Sequence, residues 1–499
     1  MKLIDIAIAG GGPGGLATAA AVIAAFDGNV KVKVFESLQD YKMQGSGVLF
    51  NPNGQKALEA IDADLLERFR SHSVQPNSYA VYDRKGNEIT RSTFLGQGEL
   101  HKQYGYGPFI LGWHEIRQLI FDNLPPGTVE FNTQVASYDE DADGVTIHFD
   151  DGQPSVRAKL LIGADGYFSR IRKQCLDDGP PKFAGLVMWR ARIPWQEGMP
   201  NNSVSYRDGL VPTRGNNAIY AMLFPLGTLE ATSDTTWSWT LCAHVDKVKE
   251  AGVEFDAEAR TLTSVQGIAS SGSALQNVCK VFADFPRAIM DVVEGTDPTT
   301  VTQHGLYVRA LDDTTPEQGW GRGRVSLLGD AAHATIPNGQ GLCLAIEDAV
   351  VLGWHLRQHG CTTQALRSYE YEQVPRAKDV IAHGHDNASK EEKETFLYKP
   401  SFKPLWKTED TAAVNGSDSS MKGPPRRQQC ITMSLSLQTV GGRARASCMP
   451  ARKLMSPSHA KGTALHKARL CSKISVHSNS CMRRQLMRSR GNVGMTGKC

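Results

Sequence analysis

Leu3-Ile4-Asp5-Ile6-Ala7-Ile8-Ala9-Gly10-Gly11-Gly12-Pro13-Gly14-Gly15 decides how the rest of the chain is read. The run from Leu3 to Ala9 is short and nearly all apolar, as in a strand buried on both faces of a parallel sheet. Gly10, Gly12 and Gly15 stand at G-x-G-x-x-G spacing. Here a strand must turn sharply into a helix, admit a pyrophosphate close to its backbone, and pack that helix tightly on the sheet. Each of these three steps needs a residue without a Cβ. Alanine-rich Leu16–Phe26 is the predicted helix, and its N-terminus directs partial positive charge at phosphate. Lys31–Glu36 is the predicted second strand. It delivers Glu36 twenty-one residues after Gly15, about where a dinucleotide fold places the acid that accepts hydrogen bonds from ribose hydroxyls. The fingerprint predicts a dinucleotide and does not by itself choose between FAD and NAD.

Two later stretches make the choice. Leu160-Leu161-Ile162 leads into Gly163-Ala164-Asp165-Gly166-Tyr167-Phe168-Ser169-Arg170-Ile171-Arg172. Val325-Ser326-Leu327-Leu328 leads into Gly329-Asp330-Ala331-Ala332-His333, then Pro337, Gly339-Gln340-Gly341 and Glu347-Asp348-Ala349. With the glycine loop these resemble, in order, the three signatures of the class A FAD-dependent aromatic monooxygenases, the para-hydroxybenzoate and salicylate hydroxylase family. The resemblance runs from about Leu3 to about residue 400.

It implies FAD as cofactor, with NADPH or NADH as co-substrate. Glu36 would meet the adenosine ribose and Asp330 the ribityl hydroxyls. Asp165 and Gly166 would lie on the phosphate side, with Arg172 offering charge. Arg117, in Trp113–Ile120, would meet the diphosphate, and Gly47 lies in the loop beside the flavin. Gly339 and Gly341 would let the chain pass close to the ring, while the helix from Leu342 to about Leu356 aims its N-terminus at the pyrimidine edge. Arg190 and Pro337 are the candidates at the reacting centre. His333 is read as structural, because this chemistry needs no histidine base there. The loop Pro337–Gly341 is one residue shorter than the family's usual Pro-x-x-Gly-Gln-Gly.

Between Pro180 and Pro286 the texture changes to alternating, aromatic-rich strands, which predicts an antiparallel sheet with one face on a pocket. Trp189, Arg190, Tyr206, Tyr220, Phe224, Trp237 and Trp239 are the candidates to line it. Side chains alternate along a strand, so at most about half of them can face the pocket. Arg190 is either a holder of an anionic or phenolic substrate or a strand-edge salt bridge.

The expected architecture is therefore α/β, a Rossmann-type FAD-binding domain (1–75, 105–179 and 287–360) interrupted by a mixed or antiparallel β-sheet substrate domain (76–104 and 180–286). A C-terminal helical segment (361–406) follows. The resemblance implies insertion of one atom of O2, through a flavin C4a-hydroperoxide, into a small aromatic or polyketide-like molecule. Epoxidation, a dehydrogenase or reductase on the same fold, and a chain whose short loop impairs flavin binding remain open.

Composition adds a boundary. Residues 411–499 hold sixteen Lys and Arg against one acid, Asp418, whereas the whole chain is only +3. The body is therefore acidic. The tail has no Phe, Tyr or Trp, so it cannot bury enough surface to offset its chain entropy and is expected to be disordered. Its composition resembles translation in a wrong frame or of unspliced sequence. Neither amphipathic period nor aromatic interleaving points to a nucleic-acid or membrane partner. No apolar run reaches the length of a membrane span. The scattered cysteines of the body read as reduced residues of a cytoplasmic protein, not as a disulfide framework or metal site.

Overall fold

The computed structural model describes residues 3–41, 45–74, 78–93, 99–194, 199, 203–207, 219–226, 236–257, 271–309, 311, 314–383, 400 and 402–405. The basic tail and residues 384–399 of the C-terminal segment lie outside them.

Leu3–Ala9 is a strand whose last four residues, Ile6 to Ala9, are buried. It lies between Val32–Phe35 and Val156–Gly163 and runs parallel to both. Val129–Glu130 extends the sheet beyond Val32–Phe35. The far edge of Val156–Gly163 is divided. Its first residues, Val156–Ala158, pair antiparallel with Val145–Ile147, and its last, Leu161–Gly163, pair parallel with Val325–Leu327. The carboxyl ends of three parallel strands thus bring the glycine loop, the Asp165 loop and the Asp330 turn to one rim of the sheet.

Helix Pro13–Ala25 starts directly after the glycine loop, with proline in the first turn, where a missing N–H costs nothing. It packs on helix Gly341–His359. Small residues set the spacing: a Cβ on Gly353 would stand 3.2 Å from the Ala21 carbonyl oxygen. Helix Thr363–His383 packs outside Gly341–His359. It turns Tyr369, Glu370 and Gln373 inward, all of them buried.

The second sheet runs in the order Thr302–Val308, Lys182–Pro194, Thr236–His244, Ile219–Leu226, Ser203–Arg207, Ser78–Tyr82, Glu88–Thr93. All its pairs are antiparallel except Ser203–Arg207 with Ser78–Tyr82, so it is mixed. Residues 287–308, expected in the first domain, also pack on this sheet. Thr302–Val308 pairs with Lys182–Pro194, and Ile289, Met290 and Val293 of helix Arg287–Glu294 enter this sheet's core.

The pleat also sorts the pocket candidates. Trp189, Tyr206, Trp237 and Trp239 point away from the first domain, into a core with Val278, Phe282 and Phe285. Two of the indoles find partners there: Trp189 Nε1 donates to Gln303 Oε1 at 2.9 Å and Trp239 Nε1 to Thr296 Oγ1 at 2.9 Å. Truncating such an indole costs about 3–5 kcal/mol. These four aromatics hold the sheet to its helices. Arg190, Tyr220 and Phe224 leave the opposite face.

That opposite face docks on the first domain. Ser46 Oγ lies 2.8 Å from Ser238 Oγ and 3.1 Å from Thr240 Oγ1. Arg192 grips Glu115 with both terminal nitrogens and donates through Nε to the Gly45 carbonyl at 3.2 Å. Burial alone would raise the Glu115 carboxyl, and the Arg192 hydrogen bonds and charge outweigh it and hold it low.

Candidate active site

The three fingerprint glycines meet their requirement in two ways. Gly10 has φ +107°, and a Cβ there would stand 2.4 Å from the Ala164 carbonyl oxygen. A Cβ on Gly15 would stand 2.0 Å from the Gly10 oxygen. Both are dictated by the chain's own packing. Gly12 is different: its φ is −70° and a Cβ would meet nothing within 4 Å. The empty side of Gly12 lies at a helix N-terminus, the place where a pyrophosphate would sit.

Glu36 is buried and organises this loop. Its Oε2 accepts from the Gly11 N–H at 2.9 Å, and its Oε1 from the Leu38 N–H at 2.8 Å and the Ser37 hydroxyl at 3.1 Å. Tyr41 donates to the Gly11 carbonyl at 2.8 Å. Its ring lies 4.0 Å from the Arg117 guanidinium, which is covered on another side by Trp113 at 4.6 Å. Arg117 is buried, and burial draws its pKa below the ordinary arginine range. A cation packed between two rings beside the glycine loop suits a diphosphate.

Three expected cofactor contacts take other roles. Asp165 spends its carboxylate on the chain, accepting from the Ser169 hydroxyl at 2.6 Å and from the N–H groups of Arg170 at 2.8 Å and Ile171 at 3.2 Å. It shapes the start of helix Arg170–Leu176. Arg172 offers no free charge. Its Nε and one terminal nitrogen hold Asp178, and the other donates to the Ala331 and Ala332 carbonyls at 2.9 and 2.7 Å. It ties the Asp165 helix to the Asp330 helix. Gly47 gives way to protein: a Cβ there would meet Phe224 at 2.2 Å and Leu226 at 2.7 Å. It lets the second sheet close down. Gly166, with φ +76° and open space around it, borders the rim.

Asp330 begins the short helix Asp330–His333 after Gly329, whose φ is +60°. Among the described residues its carboxylate takes no hydrogen bond. Desolvation by the surrounding protein raises its pKa despite the charge of nearby His333. Beneath it, Asp348 Oδ2 accepts from the Gly329 N–H at 3.0 Å and from His333 Nε2 at 2.6 Å, while Oδ1 accepts from Gln373 Nε2 at 2.9 Å. Burial pulls the His333 pKa down, but Asp348 outweighs it and the net shift is upward. His333 is therefore structural, a buried partner of Asp348.

The short loop is pinned from below. The Gly339 carbonyl accepts from Asn51 Nδ2 at 2.9 Å, and the Gln340 N–H donates to Asn338 Oδ1 at 3.0 Å. Asn53 Nδ2 donates to Gln340 Oε1 at 2.9 Å and to Glu347 Oε1 at 2.6 Å. Arg376 in turn grips Glu347 through two bonds of 2.7 and 2.8 Å. Pro337 is exposed at the loop's tip, and a Cβ on Gly341 would meet nothing within 4 Å. The open sides of Gly12 and Gly341 and the uncommitted Asp330 carboxylate fit a diphosphate, a flavin edge and a ribityl chain. FAD fits these residues.

Under the second sheet, Arg190 has a buried Nε without a partner and, among the described residues, no carboxylate beside it. Among the described residues it forms no salt bridge. Tyr167 faces it, a phenol that burial pushes up to about 12 and so keeps protonated. Sequence reasoning missed Arg192, Arg376 and Arg309, which donates to the Tyr167 and Gly179 carbonyls. None lies in a motif, so only register and packing reveal them.

The family model described as FAD binding domain matches residues 4–190 and 295–383. A 6-hydroxynicotinate 3-monooxygenase of Bordetella bronchiseptica is 30% identical over 393 residues, covering 77% of this chain and 91% of the relative. An FAD-dependent urate hydroxylase of Klebsiella pneumoniae is 28% identical over 391 residues, covering 76% and 88%. The crystal structure of Klebsiella pneumoniae HpxO complexed with FAD and uric acid aligns with TM-score 0.60 and 24% identity, over 80% of this chain and 93% of that one. Three ordered motifs, the rim they build and these matches place the chain in the FAD-binding-domain family of class A flavoprotein aromatic monooxygenases.

Proposed function

We propose that this enzyme uses NADPH or NADH to insert one oxygen atom of O2 into a small aromatic ring that carries an anionic or phenolic group. The observation that carries the substrate class is Arg190. Among the described residues this guanidinium has no carboxylate partner, and it would take an anion from a ligand, because desolvated charge is costly until paired. The Bordetella relative is named for 6-hydroxynicotinate, an aromatic acid, which supports the same class.

Bound FAD would supply the redox chemistry, accepting hydride from nicotinamide and activating O2. The chain supplies placement. Gly12 and the first turn of Pro13–Ala25 would receive the diphosphate, Glu36 the adenosine ribose and Asp330 the ribityl hydroxyls. The N-terminus of Gly341–His359 would stabilise negative charge gathered on the ring's pyrimidine edge. Arg192–Glu115 and the Ser46 hydroxyl hold the sheet down over this rim, which excludes water from the reacting centre. Arg190 and the Tyr167 hydroxyl would orient the substrate from above.

The test is NADPH- and NADH-driven turnover of hydroxybenzoates under labelled O2, with the wild type and Arg190→Met compared. Label should enter the product, and the variant should lose roughly 10²-fold in kcat/KM. Product without label, or a variant as active as wild type, would refute the proposal.

A further inference from the structure

We infer that Tyr41 is a positioning residue for FAD: by fixing the Gly11 carbonyl it sets the direction in which the Gly12 N–H meets the diphosphate. The inference deepens the proposed cofactor placement at Gly12 and rests on it.

Gly10, Gly11 and Gly12 are consecutive residues without a Cβ, so little of their own restrains how the peptide groups between them turn. Side chains from elsewhere supply the restraint. The Gly11 N–H donates to Glu36 Oε2 at 2.9 Å, and the Gly11 carbonyl accepts from the Tyr41 hydroxyl at 2.8 Å. Both peptide groups that flank Gly11 are therefore held, one by an acceptor and one by a donor. The two side chains also close over the residue: a Cβ on Gly11 would stand 2.5 Å from Tyr41 Oη and 2.7 Å from Glu36 Oε2. Gly11 occupies an unspecified position of the G-x-G-x-x-G spacing, and in this chain Tyr41 and Glu36 make glycine necessary there.

The Gly11 carbonyl and the Gly12 N–H belong to one planar trans peptide, in which they point in opposite directions. A hydroxyl that holds the carbonyl thus aims the N–H away from Tyr41. Among the described residues that N–H donates to no protein acceptor, and a Cβ on Gly12 would meet nothing within 4 Å. An N–H so placed, at the start of helix Pro13–Ala25, is a ready donor to a phosphate oxygen.

Tyr41 is itself fixed. Its ring meets Phe121 and Phe131 edge-on, with centroids 5.3 and 4.9 Å away, and its face lies 4.0 Å from the Arg117 guanidinium. Burial, and then the charge of Glu36, hold its phenol above the ordinary range, so the hydroxyl stays protonated and donates. One side chain therefore touches both the loop peptide and the cation that suit a diphosphate. The two contacts separate chemically, because the hydroxyl serves the peptide and the ring face serves Arg117.

Tyr41→Phe keeps the ring and removes only the hydroxyl. The full-length chain, freed of flavin, would be titrated calorimetrically with ADP and with adenosine, which share the ribose that Glu36 would meet and differ in the diphosphate. In the wild type ADP should bind at least about tenfold tighter than adenosine. Tyr41→Phe should lower that ratio about five- to tenfold, with the adenosine Kd within about twofold of wild type. Tyr41→Leu, which also strips the ring from Arg117, should lower the ratio further. The two phosphorus NMR resonances of FAD bound to full-length Tyr41→Phe should move from their wild-type positions, which keeps the test readable if the stripped variant loses its fold. A ratio unchanged in Tyr41→Phe, unmoved phosphorus resonances, or the equal weakening of ADP and adenosine that a general loosening would produce, would overturn the inference. A wild type that binds ADP no tighter than adenosine would instead overturn the diphosphate placement beneath it.

Discussion

Alanine at Gly12 should leave the folded chain intact and cost it FAD, whereas alanine at Gly15 should damage the fold itself. Gly12 has φ −70° and ψ 173°, a conformation any residue adopts, and its Cβ would meet nothing within 4 Å. The apoprotein should therefore keep its stability or gain about 0.4–1 kcal/mol from a less flexible unfolded chain. The added methyl, however, fills the space through which backbone N–H groups reach a phosphate. Each such charge-assisted bond is worth roughly 1.5–3 kcal/mol. Losing one or two would weaken FAD binding roughly 10²-fold or more. For Gly15→Ala the Cβ would lie 2.0 Å from the Gly10 carbonyl oxygen. The helix must then move off the sheet, at a cost of about 1–3 kcal/mol or more. The assay is thermal unfolding of flavin-stripped protein, followed by FAD titration with fluorescence quenching. An unchanged FAD Kd in Gly12→Ala, or an apoprotein of Gly15→Ala as stable as wild type, would refute this division of roles.

Asp348→Asn removes the charge shared by Gly329, His333 and Gln373, and should cost about 3–5 kcal/mol in urea unfolding. Because the folded His333 pKa is raised, its contribution is complete below the unfolded value of about 6.5 and fades as pH rises through the folded one. The Asn variant should lose that dependence, and an unchanged slope would refute the pairing. Glu370, fully buried, is pushed up to about 7 by burial, against the pull of Arg367 and Ser326. For a carboxyl raised in this way, ionisation opposes folding, so stability falls as pH climbs from the ordinary carboxyl range through 7. Glu370→Gln should flatten this fall and gain on wild type at pH 8 relative to pH 5, as read by urea midpoints. A constant difference between the two pH values would exclude Glu370 as the titrating group.

The motifs that sequence alone made legible are local ones. A glycine loop flanked by its own strand and helix carries its geometry with it, and so the first sheet and its rim could be read. The second sheet could not be resolved face by face. Thr236–His244 is buried at every position except its ends, so no alternation marks which side meets the first domain and which meets helices. Trp237 and Trp239 therefore look like pocket aromatics until pairing shows them facing the core. Arg172 sits in a motif where a charge toward phosphate is expected, but its actual partner, Asp178, lies past the end of its helix in a stretch without pattern. Arg192 and Glu115, far apart in sequence, meet only because the second sheet closes on helix Trp113–Asn123.

The divided edge of Val156–Gly163 has a consequence for how such chains form and change. Leu161 pairs with Val325 and Gly163 with Leu327, and the Leu328 N–H donates to the Gly163 carbonyl at 2.9 Å. Everything from Ala164 to Arg324 therefore departs from and returns to one spot. During synthesis the flavin-holding sheet stays open until residues beyond Leu327 have emerged, a late long-range closure of the kind that slows folding. Over evolutionary time the same arrangement works as a cassette junction. The intervening segment, with five of the second sheet's seven strands, can be exchanged or reshaped between fixed ends, while the first sheet keeps its register.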